Sequence, residues 1–533
     1  MPLKSNYSNQ LFNDYQKLEL KNKELNDENR YLKLEYSLLK QDYQSLEKKY
    51  NALKEKTIEE ENKKYQKQLE EKDKTISEKD KEIARLKSLL NNDGTNSGIS
   101  TSKTPINKNK VIPNSRKKSG KNIGGQKGHK KHKLERFKDE EITEVEYIEM
   151  DRCPNCNHEL IGTNGTIDKD VLDYELVVVK KRIKFKEYKC PCCGKKVHSK
   201  IPNELKEDVQ YGPNVKSLVL SLLNEGYISI NRVKRIIKGL SQGNIDLSES
   251  YIAKVQKVMA EKLDNFKQEV TKKLLKRKLL YWYDTVIFVD KKRACLRFYG
   301  DEKIALYVSH KQKNKDGLDE DNILKNLSNH TKVMHDHNKV NYNEEYSFIN
   351  LECNAHLQRD LQKVIDNLKA DWATRLKTLI SESIKQRSRF IESNYTYNDE
   401  FSNNFFNEFN KIMLSATDEN RNRESVFYKD EEKTLIRRIL NYKDNYFAWI
   451  ADFTLPTTNN LSERSLRSSK TKQKVSGQFK NIDRAMDYAN IKTYIETSYR
   501  NGINPMYALF RLSIGAPFTL DEILNNEKLS EEK

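Results

Sequence analysis

Leucine recurs at every seventh position through Leu11, Leu18, Leu25, Leu32, Leu39, Leu46 and Leu53, and Tyr15, Asn22, Asn29, Tyr36, Tyr43 and Tyr50 fill the four-residue step between them. Only supercoiled helices bury such a seam, so the first 90 residues are expected to form a coiled-coil oligomerisation rod. The register slips after Leu53 and resumes at Leu69, Ile76, Ile83 and Leu90. Asparagine at the a position specifies a parallel two-stranded register, which points to a dimer. Tyrosine at the same position is bulky for a tight pair, so oligomer order stays open. A long charged single helix is the competing reading.

The 533-residue chain carries a formal charge of +19 and a pI near 9.2, a balance suited to a polyanion such as nucleic acid. Its N-terminus is polar and no apolar run approaches bilayer length, which argues against a secreted or membrane-bound protein. Four of its seven cysteines form two CxxC pairs, read as metal ligands in a reducing compartment rather than as disulfides. A cytoplasmic location follows. Residues 91–140 turn to Asn, Gly, Ser, Thr, Lys and Pro, and Thr101 to Arg136 holds twelve Lys or Arg against Glu135 alone. This flexible basic linker, with Lys117, Lys118 and Lys127, would attract DNA in a salt-dependent manner.

Cys153-Pro-Asn-Cys156 and Cys190-Pro-Cys-Cys193 flank 33 residues in which Val171 to Tyr188 alternates like a strand pair. Two knuckles at the ends of a hairpin place Cys153, Cys156, Cys190 and Cys193 to hold a structural zinc in a ribbon over residues 141–205. Cys192 can exchange with Cys193, and His158 and His198 are substitutes of lower rank. Residues 206–275 then read as helices. Val215, Leu218, Val219, Leu222 and Leu223 share a face, Gly226 breaks the run, and Ile228, Val233, Ile236 and Ile237 follow. Arg232, Lys234, Arg235 and Lys238 are left to solvent, so a helix-turn-helix DNA reader, with Arg232 and Arg235 on the DNA, competes with a plain helical bundle.

From residue 279 the pattern becomes β-like. Leu279 to Asp290, Ala294 to Tyr299, Lys303 to Val308 and Lys332 to Asp336 read as strands, with Asp284 and Asp336 as acids at strand ends. Near the C-terminus, Pro456-Thr-Thr leads into Asn459-Asn460 and a helix, with Glu463 one turn inside if Asn460 is the N-cap. Arg464, Arg467, Lys470 and Lys474 then recur at three- and four-residue steps as a DNA-facing stripe. One reading of Glu463 is a capping box closed on Asn460, with Arg467 pairing at i+4. The other groups it with Asp284 and Asp336 into a carboxylate trio that can hold two Mg ions about 3.5–4 Å apart for phosphoryl displacement.

These residues resemble a known family. Asp284, Asp336, Cys353-Asn-Ala-His356-Leu-Gln-Arg359-Asp360, Thr457-Thr-Asn-Asn-Leu-Ser-Glu463-Arg464-Ser-Leu-Arg467 and Lys474-Val-Ser-Gly-Gln-Phe479 are similar to the IS66-type transposases of bacterial insertion sequences. The likeness extends to the coiled coil, the Gly-Gly-Gln-Lys-Gly-His arm, the CxxC pairs, the Tyr-Gly-Pro helix and Asn504-Pro505. It implies a multidomain α+β protein whose RNase H-like α/β core, residues 276–475, is interrupted by a helical insertion at about 361–447. A C-terminal helical region, 476–533, follows. It further implies a DDE triad of Asp284, Asp336 and Glu463 that cuts element ends and joins the freed 3′-hydroxyl to target DNA. Terminal-repeat DNA, target DNA and accessory transposition proteins are the implied partners, in a bacterial, nucleoid-associated setting. Thr285 stands where the family often has an acid, and His337-Asn338 replaces its Gly-Tyr, so Asp290 rivals Asp284. A nuclease without strand transfer and a dimeric zinc-containing regulator with an inactive core are the competing functions. His356 is a packed or supporting residue.

Overall fold

The computed structural model describes residue 21 and residues 59–91, 135–162, 165–174, 176–202, 205, 207–424 and 428–526. The heptads from Leu11 to Leu53 and the basic arm with Lys117, Lys118 and Lys127 lie outside the described residues. Helix α1 (Glu59–Asn91) covers the second heptad block. Leu69, Lys72, Ile76, Lys79, Ile83 and Leu86 are among its less exposed positions, at alternating three- and four-residue steps.

The chain divides into two compact units. One comprises Pro113–Glu204 and Arg235–Leu247; the other comprises Met1–Ile112, Leu205–Lys234 and Ser248–Lys533. In the first, strand β1 (Glu187–Lys189) pairs antiparallel with β2 (Lys196–His198) across the second cysteine turn. The strand pair expected from Val171 to Tyr188 is not formed, apart from β1 at its end. Val171, Val177 and Val179 are all exposed, so the alternation has no surface against which to bury one face, and that burial is what stabilises a half-buried strand.

The second unit opens with helices. Pro213 sets φ at the first position of α2 (Pro213–Asn224), and α3 (Ile230–Leu240) follows after the Gly226 break, its residues from Arg235 onward counting with the first unit. The buried face of α2 is Val219, Leu220 and Leu223, while the expected Leu218 and Leu222 are half-buried. Ser248 caps α4 (Glu249–Glu261) by accepting from Tyr251 N, and α5 (Asp264–Leu274) leads into the sheet.

The sheet contains β3 (Leu279–Val289), β4 (Lys292–Gly300), β5 (Ala305–His310), β6 (Lys332–His335) and β7 (Ile349–Glu352) in the order β5-β4-β3-β6-β7. The first three are antiparallel, whereas β6 and β7 run parallel to β3. Asp290 and Lys291 form the β3–β4 turn with φ of 46° and 60°, the left-handed pair that matches strand twist in a two-residue hairpin. Helix α6 (Lys315–Glu320) follows β5, and α7 (Asn354–Leu368) follows β7.

Four helices then intervene: α8 (Asp371–Glu392), α9 (Asp399–Asn422), α10 (Lys429–Asn441) and α11 (Lys443–Ala451). The helical stretch expected from 361 thus starts inside α7 and runs past 447. Among these helices, fully buried Glu432 accepts from Trp372 Nε1 and Asn420 Nδ2, each at 2.8 Å, and from Arg423 Nε at 3.0 Å. The chain returns through α12 (Asn460–Ser476), α13 (Ile482–Arg500), α14 (Pro505–Ser513) and α15 (Leu520–Leu524). An edge strand leaves backbone groups open to pairing with another chain. Here Thr493 and Thr497 of α13 cover β5: Tyr307 N donates to Thr493 Oγ1 at 2.9 Å, and Thr497 Oγ1 donates to Ala305 O at 3.1 Å.

Lys472 of α12 is buried, donates to Leu223 O at 2.8 Å and lies over the Tyr488 ring. Burial, reinforced by repulsion from Lys492, pushes it down to about 8. A lysine depressed in the folded state contributes stability above its unfolded value, about 10.4, that is lost as pH falls through about 8. Lys472→Met is therefore expected to raise stability at neutral pH by on the order of 2 kcal/mol, net of the lost Leu223 hydrogen bond. It should also abolish the alkaline rise in the urea midpoint; an unaltered pH profile would refute this account.

Candidate active site

Parallel pairing of β3 with β6, Leu279 to Lys332 and Tyr281 to Met334, carries the two strands out of the sheet side by side. Asp284 lies in the middle of β3 rather than at its end, buried to 9% exposure, and Asp336 directly follows β6. Asp290 sits exposed at the hairpin tip, where its N–H donates to Phe479 O at 3.0 Å. The turn explains Asp290. The Lys474-to-Phe479 segment braces that tip: Gly477 ends α12 at φ +77°, and Gln478 Oε1 accepts from Lys291 N at 2.7 Å.

The N-cap of α12 is Asn459, not Asn460, and no capping box forms. Asn459 is fully buried and its amide turns into the sheet, donating to Trp282 O at 3.0 Å and reaching Asp336 Oδ1 at 3.4 Å. Its backbone N–H donates to Cys353 Sγ at 3.1 Å, and Ser462 Oγ donates to its Oδ1 at 2.5 Å. One residue therefore ties β3, the end of β6, the start of α7 and α12 together. Glu463, in the first turn of α12, faces His356 Nε2 at 3.6 Å and Arg359 at 3.8 Å, both on α7, instead of capping its own helix or pairing with Arg467.

The three acids share an electrostatic neighbourhood. Burial first, then the charges of Asp336, Glu463 and Asp284 in that order, raise the Tyr283 phenol far above its ordinary range. Each acid has a cation beside it: Lys313 Nζ lies 2.8 Å from Asp284 Oδ1, and His356 Nδ1 lies 2.9 Å from Asp336 Oδ1. Burial works against the charged imidazole of His356. The neighbouring Asp336 and Cys353 outweigh that, and His356 is pushed up to about 10.

Asp336, Cys353 and His356 offer ligand atoms within 4.8 Å of one another, the sole such trio among the described residues. Asp284 and Glu463 are outside that group. Glu463 Oε1 is nonetheless buried and accepts no hydrogen bond, an oxygen left for a cation. A hard divalent ion fits these carboxylates by donor type.

Arg464, Arg467, Lys470 and Lys474 are exposed along α12, as are Arg232 and Arg235 on α3. Each cysteine pair closes its own turn: Cys153 O accepts from Asn157 N and Cys190 O from Gly194 N, each at 2.9 Å. Backbone N–H groups of Asn155 and Cys156 lower the Cys153 thiol below its ordinary range, and those of Cys193 and Cys192 do the same for Cys190. These are thiolate-favouring turns. The sulfurs of the two turns are not gathered into a ligand group among the described residues.

Sequence reasoning missed Lys313, Asn459 and Cys353 as parts of this site. Asn459 lay in a segment already singled out, but its inward amide has no local signal. Lys313 follows a strand, and nothing in the nearby pattern says that its loop returns over Asp284.

The family model described as Transposase IS66 family matches residues 208–487, a span that includes Asp284, Asp336 and Glu463. No curated protein matches the chain. The matched residues make up more than half of the 533, and the chain belongs to the IS66 family of transposases.

Proposed function

We propose that this chain is a DDE transposase that cuts DNA at the ends of an insertion sequence and joins the freed 3′-hydroxyl to target DNA, with Asp284, Asp336 and Glu463 as its catalytic acids. The observation that supports the reading is that His356 lies 2.9 Å from Asp336 and 3.6 Å from Glu463, while the charges of Asp336, Glu463 and Asp284 all act on Tyr283. The strand order, three antiparallel strands continued by two parallel ones, supports an RNase H-like core. Helices α8–α11 would be its insertion before the glutamate.

Two divalent ions bound by these carboxylates would supply activation of the attacking hydroxyl and stabilisation of the leaving oxygen. The protein's own part is to hold the acids. Asn459 fixes Asp336 against β3, and His356 spans Asp336 and Glu463. Arg464, Arg467, Lys470 and Lys474 would bind the phosphate backbone and set its register on α12. Arg232 and Arg235 on α3, with Lys117, Lys118 and Lys127, would add contacts to the terminal repeats. The heptads would pair two protomers and so two DNA ends, in a bacterial cytoplasm and with accessory proteins where the element encodes them.

Glu463→Gln preserves side-chain size and removes the charge. Mg-dependent cleavage of a labelled element-end duplex is expected to fall by at least about 10³-fold while binding persists, the scale of losing one essential catalytic group. Asp284→Asn should behave alike, whereas Asp290→Asn should cleave within about twofold of the parent. If the parent chain binds ends without cutting, the core is inactive and the regulator reading replaces this one. Cleavage without joined products would make the protein a nuclease.

The turns at Cys153–Cys156 and Cys190–Cys193 support a structural zinc that would draw the two together. Elemental analysis of the purified chain is expected to find about one zinc per protomer. Cys153→Ser should lose it while leaving the Glu463-dependent cleavage centre intact. Equal zinc in both proteins would remove this assignment.

A further inference from the structure

The loop from Lys311 to Asn314, between β5 and α6, belongs neither to the acid trio nor to the basic face of α12, yet it is held unusually firmly. Arg297 on β4 is the cross-strand partner of Asp284 and is fully buried. Its guanidinium donates to Gln312 O and to Gly317 O, each at 2.6 Å, and to Asp321 at 2.9 Å. The Cys295 thiol donates to Gln312 O at 3.2 Å, and Tyr299 OH donates to Asp321 at 2.7 Å. At Gly317 a Cβ would lie 2.5 Å from His310 Nδ1 and 2.8 Å from Gln312 O, so the loop closes only with glycine there. A buried guanidinium carries a desolvation cost of several kcal/mol, and here its hydrogen bonds go to carbonyls on both sides of Lys313.

The residue so presented is a lysine, half-exposed, with Nζ 2.8 Å from Asp284 Oδ1. Lys470 of α12 lies within electrostatic reach of Lys313, Arg467 and Lys474 as well as of Glu463. The loop cation at Asp284 thus stands within electrostatic reach of the basic face of α12, a setting that favours an anion.

We propose that Lys313 forms a phosphodiester-binding site at the rim of the acid trio. The site takes a backbone phosphate of the DNA strand, and the proposal rests on the DNA-processing reading above. Lysine suits the role: a point charge with three donors on a four-carbon stem can leave Asp284 for a phosphate by rotating its side chain, without backbone movement. Arg297 and Gly317 are positioning residues that keep the loop within that reach.

Binding without metal isolates the claim from catalysis. The full-length chain, in EDTA, is titrated with a labelled random-sequence duplex at several salt concentrations. Removing Lys313 alone also bares Asp284, so the comparison is made in an Asp284→Asn background. There, Lys313→Ala is expected to weaken binding about two- to fivefold, the scale of one half-exposed charge contact, and to reduce the salt slope by about 0.9. Lys313→Arg should restore both, and Lys411→Ala, exposed on α9 beside Glu408, should change neither. If Lys313→Ala weakens binding only when Asp284 is intact, the lysine merely neutralises that acid and the proposal fails. A salt slope that Lys313→Ala leaves unchanged in the Asp284→Asn background also overturns it. A parent chain with no affinity for DNA overturns the transposase reading too, whereas Glu463-dependent cleavage with unaltered Lys313→Ala binding overturns this proposal alone.

Discussion

The amide of Asn459 is buried where β3, the end of β6 and the start of α12 meet. It donates to Trp282 O and reaches Asp336, while its backbone N–H rests on Cys353. A buried amide that loses such partners costs about 1–3 kcal/mol, so the strand ends and the helix start keep one relation to each other. The position of Glu463 relative to Asp336 follows from that relation, because Glu463 is four residues along the same rigid helix. Acids contributed by a helix and two strands hold their places better than acids on free loops.

Charge organises the surroundings of this junction. Carboxylates gathered at a partly buried site repel one another unless cations are interleaved. Lys313, His356 and Arg359 are those cations, one from the β5–α6 loop and two from α7. Asp336 and Cys353 both favour the charged ring of His356 against its burial, and Arg359 Nη1 lies 3.0 Å from its Nε2. Burial, together with the same acids, sets the Tyr283 phenol beyond its ordinary range, so that residue remains a neutral donor beside them. Around the sheet, threonines at i and i+4 on α13 satisfy the β5 edge, which leaves the opposite direction of growth to the parallel strands β6 and β7.

Much of this was legible in advance. The strands carrying Asp284 and Asp336 and the helix carrying Glu463 announce themselves through alternation or turn and capping residues within a few positions. Asp290, the sequence's rival to Asp284, occupies the hairpin tip with a positive φ that it shares with Lys291. The short strand β7 went unread: its four residues contain too little periodicity to register. Val171 to Tyr188 misled in the opposite sense. Alternation there is clear, but a strand needs a surface for one of its faces, and these side chains stay exposed.

By itself the sequence determined the local elements, the basic balance and the cysteine turns, since propensity, capping and net charge act between near neighbours or in sum. Only the tertiary structure decided which cations stand beside those acids. Lys313 reaches Asp284 from 29 positions away, and Asn459 meets Trp282 across 177. Such pairings arise when sheet register and helix packing close long loops, and no periodicity in the chain encodes the distance between residues that far apart.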